Sequence, residues 1–286
     1  MHSVLVLIAA PGSGAITSDV VRIVQELGGT LNWLSQGNAA DVSGLLEPSL
    51  LGKALHGYPL DINIVNKANR RKKILIADMD STMIHQECID ELGVAAGVGD
   101  HIKDITARAM RGELDFEGAL KERVALLKGL DQNVIATLLR ERITLMEGGK
   151  TLLATMKAHG AYMALVSGGF TAFTAHVANV LGFDEHRANT LLVKDSKLTG
   201  EVAMPILGKE AKVESLKRIC AARGLEKADV LAVGDGANDI PMLLEAGMGV
   251  ALHAKPKVQE QAHFKINYGD LTALLYLQGY QQNEFR

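Results

Sequence analysis

Two orders of strand and helix follow one another along this chain. Between residues 3 and 65, apolar runs bounded by turn residues fall at 4–9, 30–34, 40–45 and 60–65, and segments of helical period at 17–27 and 48–55. This βαββαβ order predicts a small antiparallel sheet with two helices on one face, the ferredoxin-like arrangement, over residues 1–68. The run Arg70-Arg71-Lys72-Lys73 then reads as a solvated linker.

From residue 74 the pattern changes. Ile74-Leu75-Ile76-Ala77 is apolar without alternation, as in a strand covered on both faces. Residues 84–146 have few turn signals and no strand pattern, so they read as an inserted helical cap. Alternation resumes with a strand at 161–166, a helix at 170–181 closed by Gly182, a hairpin at 189–194 and 197–204, a helix at 209–223 stopped by Gly224, and a strand at 230–233. Strands alternating with helices imply a parallel sheet. The expected class is α/β: a doubly wound, Rossmann-like core over 69–83 and 147–286, with the cap at 84–146.

Three of these strands end in polar clusters: Asp78 and Asp80, then Ser167-Gly168-Gly169, then Asp235 with Asn238 and Asp239. A parallel sheet brings such ends to one edge, where open α/β sheets bind ligands. Two acids one residue apart, followed by Ser81 and Thr82, suit a site that holds a divalent metal, attacks phosphorus and donates a proton. Carboxylates there are otherwise exposed turn acids, and their convergence with the other clusters favours a site.

Composition narrows the classes. The chain has 286 residues, 48% apolar, with net charge −3, so it has ample core and no global basic field for nucleic acid. Cys88 and Cys220 lie far apart, outside any zinc or disulfide pattern, which fits a reducing cytoplasm. The apolar start at 4–10 is short, has no preceding Lys or Arg and is followed by Pro11-Gly12, unlike a secretory signal. No run reaches the roughly twenty apolar residues of a membrane span, and a soluble protein is expected.

The ordered motifs Asp78-Met-Asp-Ser-Thr82, Ser167-Gly-Gly169, the helical Lys212 and Gly234-Asp-Gly-Ala-Asn-Asp239 resemble those of haloacid-dehalogenase-like phosphohydrolases over about residues 74–250. Within that superfamily the chain resembles the phosphoserine phosphatases, because Glu87 stands nine residues after Asp78 and the cap carries Met110-Arg-Gly-Glu-Leu-Asp-Phe116 and Arg123-Val124. The resemblance implies hydrolysis of O-phospho-L-serine to L-serine and phosphate, the last step of serine biosynthesis. It assigns Glu87 to the substrate ammonium, Arg123 to its carboxylate, and Phe116 to the apolar wall. The rivals are a phosphatase or phosphotransferase acting on another small phosphomonoester, such as phosphothreonine or phosphohomoserine, and an amino-acid-binding regulatory protein. The N-terminal layout resembles amino-acid-sensing ACT domains, which implies an amino-acid ligand; the plainer reading is a dimerisation or solubilising module, and the exposed sheet edges of such modules invite a homodimer.

The chemistry agrees with that reading. Hydrolysis through an aspartyl-phosphate splits one hard displacement into two, with Asp78 as nucleophile. A carboxylate approaching a dianion needs a bridging cation, and Asp78, Asp235 and the neighbourhood of Asp80 offer the hard oxygens that Mg²⁺ prefers. Asp80 would protonate the leaving oxygen and then activate water. Ser167, Gly168, Lys212 and Asn238 would hold the phosphate, with Asp239 in support. Each has a plainer reading: an ordinary turn for the glycines, a solvated helix face for Lys212 with Lys209 as its rival, a helix cap for Asn238 or Asp239, cap core for Phe116, and pairing with Glu117 or Glu122 for Arg123.

Overall fold

The computed structural model describes residues 3–44, 48–111 and 113–286. Leu45, the expected end of the third strand, and Gly112, within the cap motif, lie outside the described residues.

The N-terminal elements are β1 (Ser3–Ala9), α1 (Ser18–Glu26), β2 (Thr30–Ser35), β3 (Ala39–Ser43), α2 (Pro48–Ala54) and β4 (Leu60–Asn66). They form a sheet in the order β2-β3-β1-β4, with neighbours antiparallel. Alternation along β1 splits its side chains between two cores. Leu5, Leu7 and Ala9 pack with Val20 and Val24 of α1 and Leu51 of α2. Val4, Val6 and Ile8 join the large cluster of the following domain. The sheet is therefore covered on both faces.

The basic run after β4 differs from the expected solvated linker. The Arg70 guanidinium donates to both Asp41 oxygens at 2.6 and 2.7 Å and to the carbonyls of Leu277 and Tyr276. Arg71 pairs with Glu284 and lies 4.0 Å over the Tyr280 ring. Lys72 is buried, and its ammonium donates to the carbonyls of Asn69 and Ala228. A charge run taken for a solvated stretch is in fact a clamp, because the carbonyls and carboxylates that satisfy it come from distant segments.

The second domain contains β5 (Ile74–Ala77), the cap helices α3 (Cys88–Ala95), α4 (Gly99–Met110), α5 (Phe116–Ala125) and α6 (Asn133–Glu141), then α7 (Gly149–Ala158), β6 (Tyr162–Phe170), α8 (Thr171–Leu181) and β7 (Glu185–Asn189). It continues with β8 (Leu191–Lys194), β9 (Lys197–Val202), α9 (Lys209–Arg223), β10 (Val230–Gly234), α10 (Ile240–Glu245), β11 (Met248–Leu252), α11 (Pro256–Gln261), β12 (Phe264–Ile266) and α12 (Ala273–Leu277). Six strands make a parallel sheet in the order β12-β11-β10-β5-β6-β7. Along β5, Leu75 and Ala77 face one core and Ile74 and Ile76 the other, as its unbroken apolar run predicts.

Two expectations change. The expected hairpin is present as β8 with β9 but begins at Leu191, and 185–189 is a separate edge strand whose polar Glu185-His186-Arg187 hid it. Ser167-Gly168-Gly169 lies within β6, which runs on to Phe170 before α8 begins.

The chain leaves β5 towards β6 and returns to β10 on the other side, so the β5–β10 junction is the switch point where a ligand crevice forms. The cap covers that end. It is tied to the hairpin by backbone bonds from Gly129 to Leu198, Leu198 to Leu130 and Gln132 to Ser196, at 2.8–2.9 Å.

Candidate active site

Asp78 leaves β5 with its amide bonded to Val233 of β10, so its carboxylate sits on the switch point. One oxygen accepts from the Met79 amide at 2.8 Å, and the other lies 2.9 Å from the Lys212 ammonium. Lys212 is 1% exposed and also bonds Asp239 at 2.5 Å. Lys209, the rival, is exposed and pairs with Glu210. Burial opposes the Lys212 charge, but Asp239 and Asp78 outweigh it and hold the ammonium above its ordinary value.

Asp239 stands at the N-cap position of α10, but its side chain does not cap the helix. It is fully buried, and its oxygens take Lys212 and the Gly236 amide, so it fixes the lysine that reaches Asp78. Burial, and then the Asp78 charge, raises its carboxyl to about 7. Asp235 accepts from the Thr82 hydroxyl at 3.2 Å and is raised to about 6 by burial and by Asp78 and Glu87. Thr82 is the second of the two hydroxyl residues that follow the paired acids.

Carboxylate oxygens of Asp78, Asp235 and Asp239 lie within 4.8 Å of one another, all buried. Hard oxygen donors crowded into one pocket, with two carboxyls raised first by burial and then by the Asp78 charge, fit a divalent cation. Asp78 and Asp239 each have both oxygens against protein donors, whereas Asp235 keeps one oxygen with none among the described residues. The ligand expected at Asp80 is a backbone oxygen in its neighbourhood, and the Asp80 carboxylate itself stands outside this triad.

Asp80 instead accepts from the Cys88 amide at the start of α3, at 3.1 Å. Its other oxygen lies against Gly169, where a Cβ would come within 2.6 Å, so glycine is needed for the approach. Asp80 keeps a partly open surface but is densely surrounded; burial first, and then Glu87 and Asp78, pushes it up to about 8. A carboxyl held protonated near neutrality suits an acid that can later serve as base.

Ser167 is buried, and its hydroxyl accepts from the Gly169 amide at 2.9 Å. A Cβ on Gly168 would stand 3.0 Å from Phe116 and 3.9 Å from the Asn238 amide nitrogen, so the three meet. Asn189, expected at the start of the hairpin but closing β7, holds the Gly168 carbonyl at 2.8 Å and so fixes this bend.

Glu87 accepts from the Ser81 hydroxyl at 2.8 Å, and burial raises its carboxyl. Arg123 has neither of its expected helical partners: Glu117 takes Lys121 and Glu122 takes Arg108. Among the described residues its guanidinium reaches only the Ala119 carbonyl and the Thr106 hydroxyl. Burial pulls it down while the charges of Asp90, Glu87 and Asp80 support it. His85 pairs with Glu147 away from the triad.

Residues 75–244 match the haloacid dehalogenase-like hydrolase family. A phosphoserine phosphatase of Streptomyces coelicolor is 42% identical over 248 residues, covering 85% of this chain and 60% of that protein. The chain thus spans less than two thirds of that relative. A phosphoserine phosphatase of Streptococcus thermophilus is 46% identical over 204 residues, which is 71% of this chain and 94% of that protein. The crystal structure of a HAD-family hydrolase from Salmonella enterica serovar Typhi superposes with a TM-score of 0.85 at 30% identity, covering 96% of this chain and 98% of that one.

Proposed function

This chain belongs to the haloacid dehalogenase-like hydrolases, and we propose that within them it hydrolyses O-phospho-L-serine to L-serine and phosphate through an aspartyl-phosphate on Asp78. The observation that carries the substrate is Arg123, a half-buried guanidinium without an acid partner among the described residues, in the same acidic surroundings as Glu87 and on the helix whose Phe116 packs on Gly168. A cation and an anion beside a phosphate cradle complement the carboxylate and ammonium of an amino-acid phosphate.

Asp78 attacks phosphorus, held in line by the Met79 amide and Lys212. Protonated Asp80 gives its proton to the departing seryl oxygen, then takes one from the water that opens the acyl phosphate. Lys212, Ser167, the Gly168 backbone and Asn238 hold the equatorial oxygens, while Asp239 fixes Lys212. Mg²⁺, held by Asp78 and Asp235 and an oxygen near Asp80, would neutralise charge between nucleophile and phosphate. The cap keeps bulk water from the acyl phosphate.

The domains are proposed as 1–68, the core 69–83 with 147–286, and the cap 84–146. A cytoplasmic location is supported by two buried free cysteines. No helix among the described residues is long and apolar enough to cross a membrane. An amino-acid ligand at the N-terminal domain and a homodimer complete the reading, on the ferredoxin-like layout alone.

The test is phosphate release with Mg²⁺ from phosphoserine and from an aryl phosphate. Asp78→Asn should abolish both, by roughly a thousandfold or more. Arg123→Ala should lose phosphoserine alone, by roughly a hundredfold in kcat/KM. Equal losses on both substrates would leave a phosphatase with another substrate.

A further inference from the structure

Strand β11 ends at the same sheet edge as β5, β6 and β10, and the loop after it carries a cation with no role so far. The Lys255 amide donates to the Asp235 carbonyl at 3.3 Å, so this residue is tied to the loop that presents a carboxylate of the triad. Its side chain is exposed, and it forms no ion pair among the described residues.

The charges around the crevice give such a cation work to do. Asp78, Asp80, Glu87, Asp90, Asp235 and Asp239 face Lys212 and Arg123. Lys212 is taken by Asp78 and Asp239, and Arg123 lies in the cap. A phosphomonoester therefore arrives as a dianion at a ring of acids with little positive charge on the core side of the mouth. Tied by its amide to the loop that carries Asp235, Lys255 also favours the ionised forms of Glu87 and Asp90 against burial, so its charge stands between the triad and the cap.

We propose that Lys255 is a substrate-binding cation at the mouth of the crevice, drawing in the phosphate dianion and holding it in the enzyme–substrate complex. The inference rests on the phosphatase reading above, but it concerns the phosphate and not the amino-acid end. It needs no particular leaving group.

Steady-state kinetics of the full chain with Mg²⁺ test it. Lys255→Ala should raise KM by roughly tenfold for phosphoserine and an aryl phosphate alike, with kcat within about twofold. Lys255→Glu should raise KM further, and Lys255→Arg should restore most of the loss. The fall of kcat/KM with added salt should be shallower in Lys255→Ala than in the parent enzyme. An unchanged KM, a fall in kcat alone, or a loss confined to phosphoserine would each overturn the assignment. Because the side chain is exposed, melting temperature should not move, and a drop matching the kinetic loss would also count against it. If the parent enzyme hydrolyses the aryl phosphate but not phosphoserine, the proposed substrate fails while Lys255 can still be judged.

Discussion

Charges are buried in two places in this molecule, the seam between its domains and the crevice under its cap, and the two are finished differently. In the seam the protein supplies every partner. Asp61 of β4 accepts from the amides of Asn267, Tyr268 and Gly269 at 2.7–3.0 Å. Asn63 trades two bonds with the Lys265 backbone and so covers the outer strand β12. Arg70 has both Asp41 oxygens and two carbonyls. In the crevice, acids crowd acids: burial and neighbouring carboxylates raise Asp80, Asp239 and Asp235 to about 8, 7 and 6, while Lys212 is the fixed counter-charge of Asp78 and Asp239. Buried charge that holds a fold together is complete by itself, whereas buried charge that binds and transforms a dianion is left incomplete.

The sharpest way to break this contrast is to neutralise one crevice acid. Asp80→Asn keeps the shape and the Cys88 bond but removes the transferable proton. Turnover of phosphoserine should fall by roughly 10²–10⁴-fold, while an activated aryl ester, which needs little protonation of its leaving group, should still form the aspartyl-phosphate. Melting temperature should hold or rise, since a repelled carboxyl has gone. Phosphoserine turnover at the parent rate would remove Asp80 from the chemistry.

The seam should answer in the opposite sense. Arg70→Ala leaves Asp41 and two carbonyls without their donor, with the pair only 12% and 17% exposed. Breaking such a pair costs about 3 kcal/mol. Thermal unfolding should therefore come several degrees earlier, with kcat and KM at 25 °C within about twofold of the parent. An intact melting temperature with altered kinetics would mean that the seam serves the active site rather than the fold.

This contrast also explains what the sequence made legible. Strands with an unbroken apolar run, such as 74–77 and 230–233, and helices with a glycine stop, such as 209–223, appear at or within a residue or two of their expected bounds. Their signals are local. The crevice was legible because its acids stand at strand ends, and a parallel sheet converts sequence position into proximity. The seam was not: Arg70 to Lys73 looks solvated until Asp41, Ala228 and Glu284 are brought to it by tertiary packing. Nor was β12, whose three residues carry no period, or the edge strand at 185–189. Asp239 was read as a plain cap alternative to support, and only its burial against Lys212 distinguishes the two.

The smallest expected effect separates the two regions by pH and cation. A carboxyl raised in the folded state binds its proton more tightly there than when unfolded. Such a group favours folding fully below the ordinary carboxylate range near 4 and loses that contribution as pH climbs to its folded value. Asp235, Asp239 and Asp80 should thus weaken the chelated protein progressively through about pH 6, 7 and 8. Asp61, also raised by burial, adds to the same slope from the seam, but its oxygens are taken by three amides and offer nothing to a cation. Mg²⁺ should therefore recover only the crevice part, lifting the melting temperature by a few degrees near pH 8 and by much less near pH 5, where protons compete for the same oxygens. Asp235→Asn should cancel this pH-dependent lift and Arg70→Ala should leave it whole. An equal lift at both pH values, or one that survives Asp235→Asn, would place the cation away from the triad.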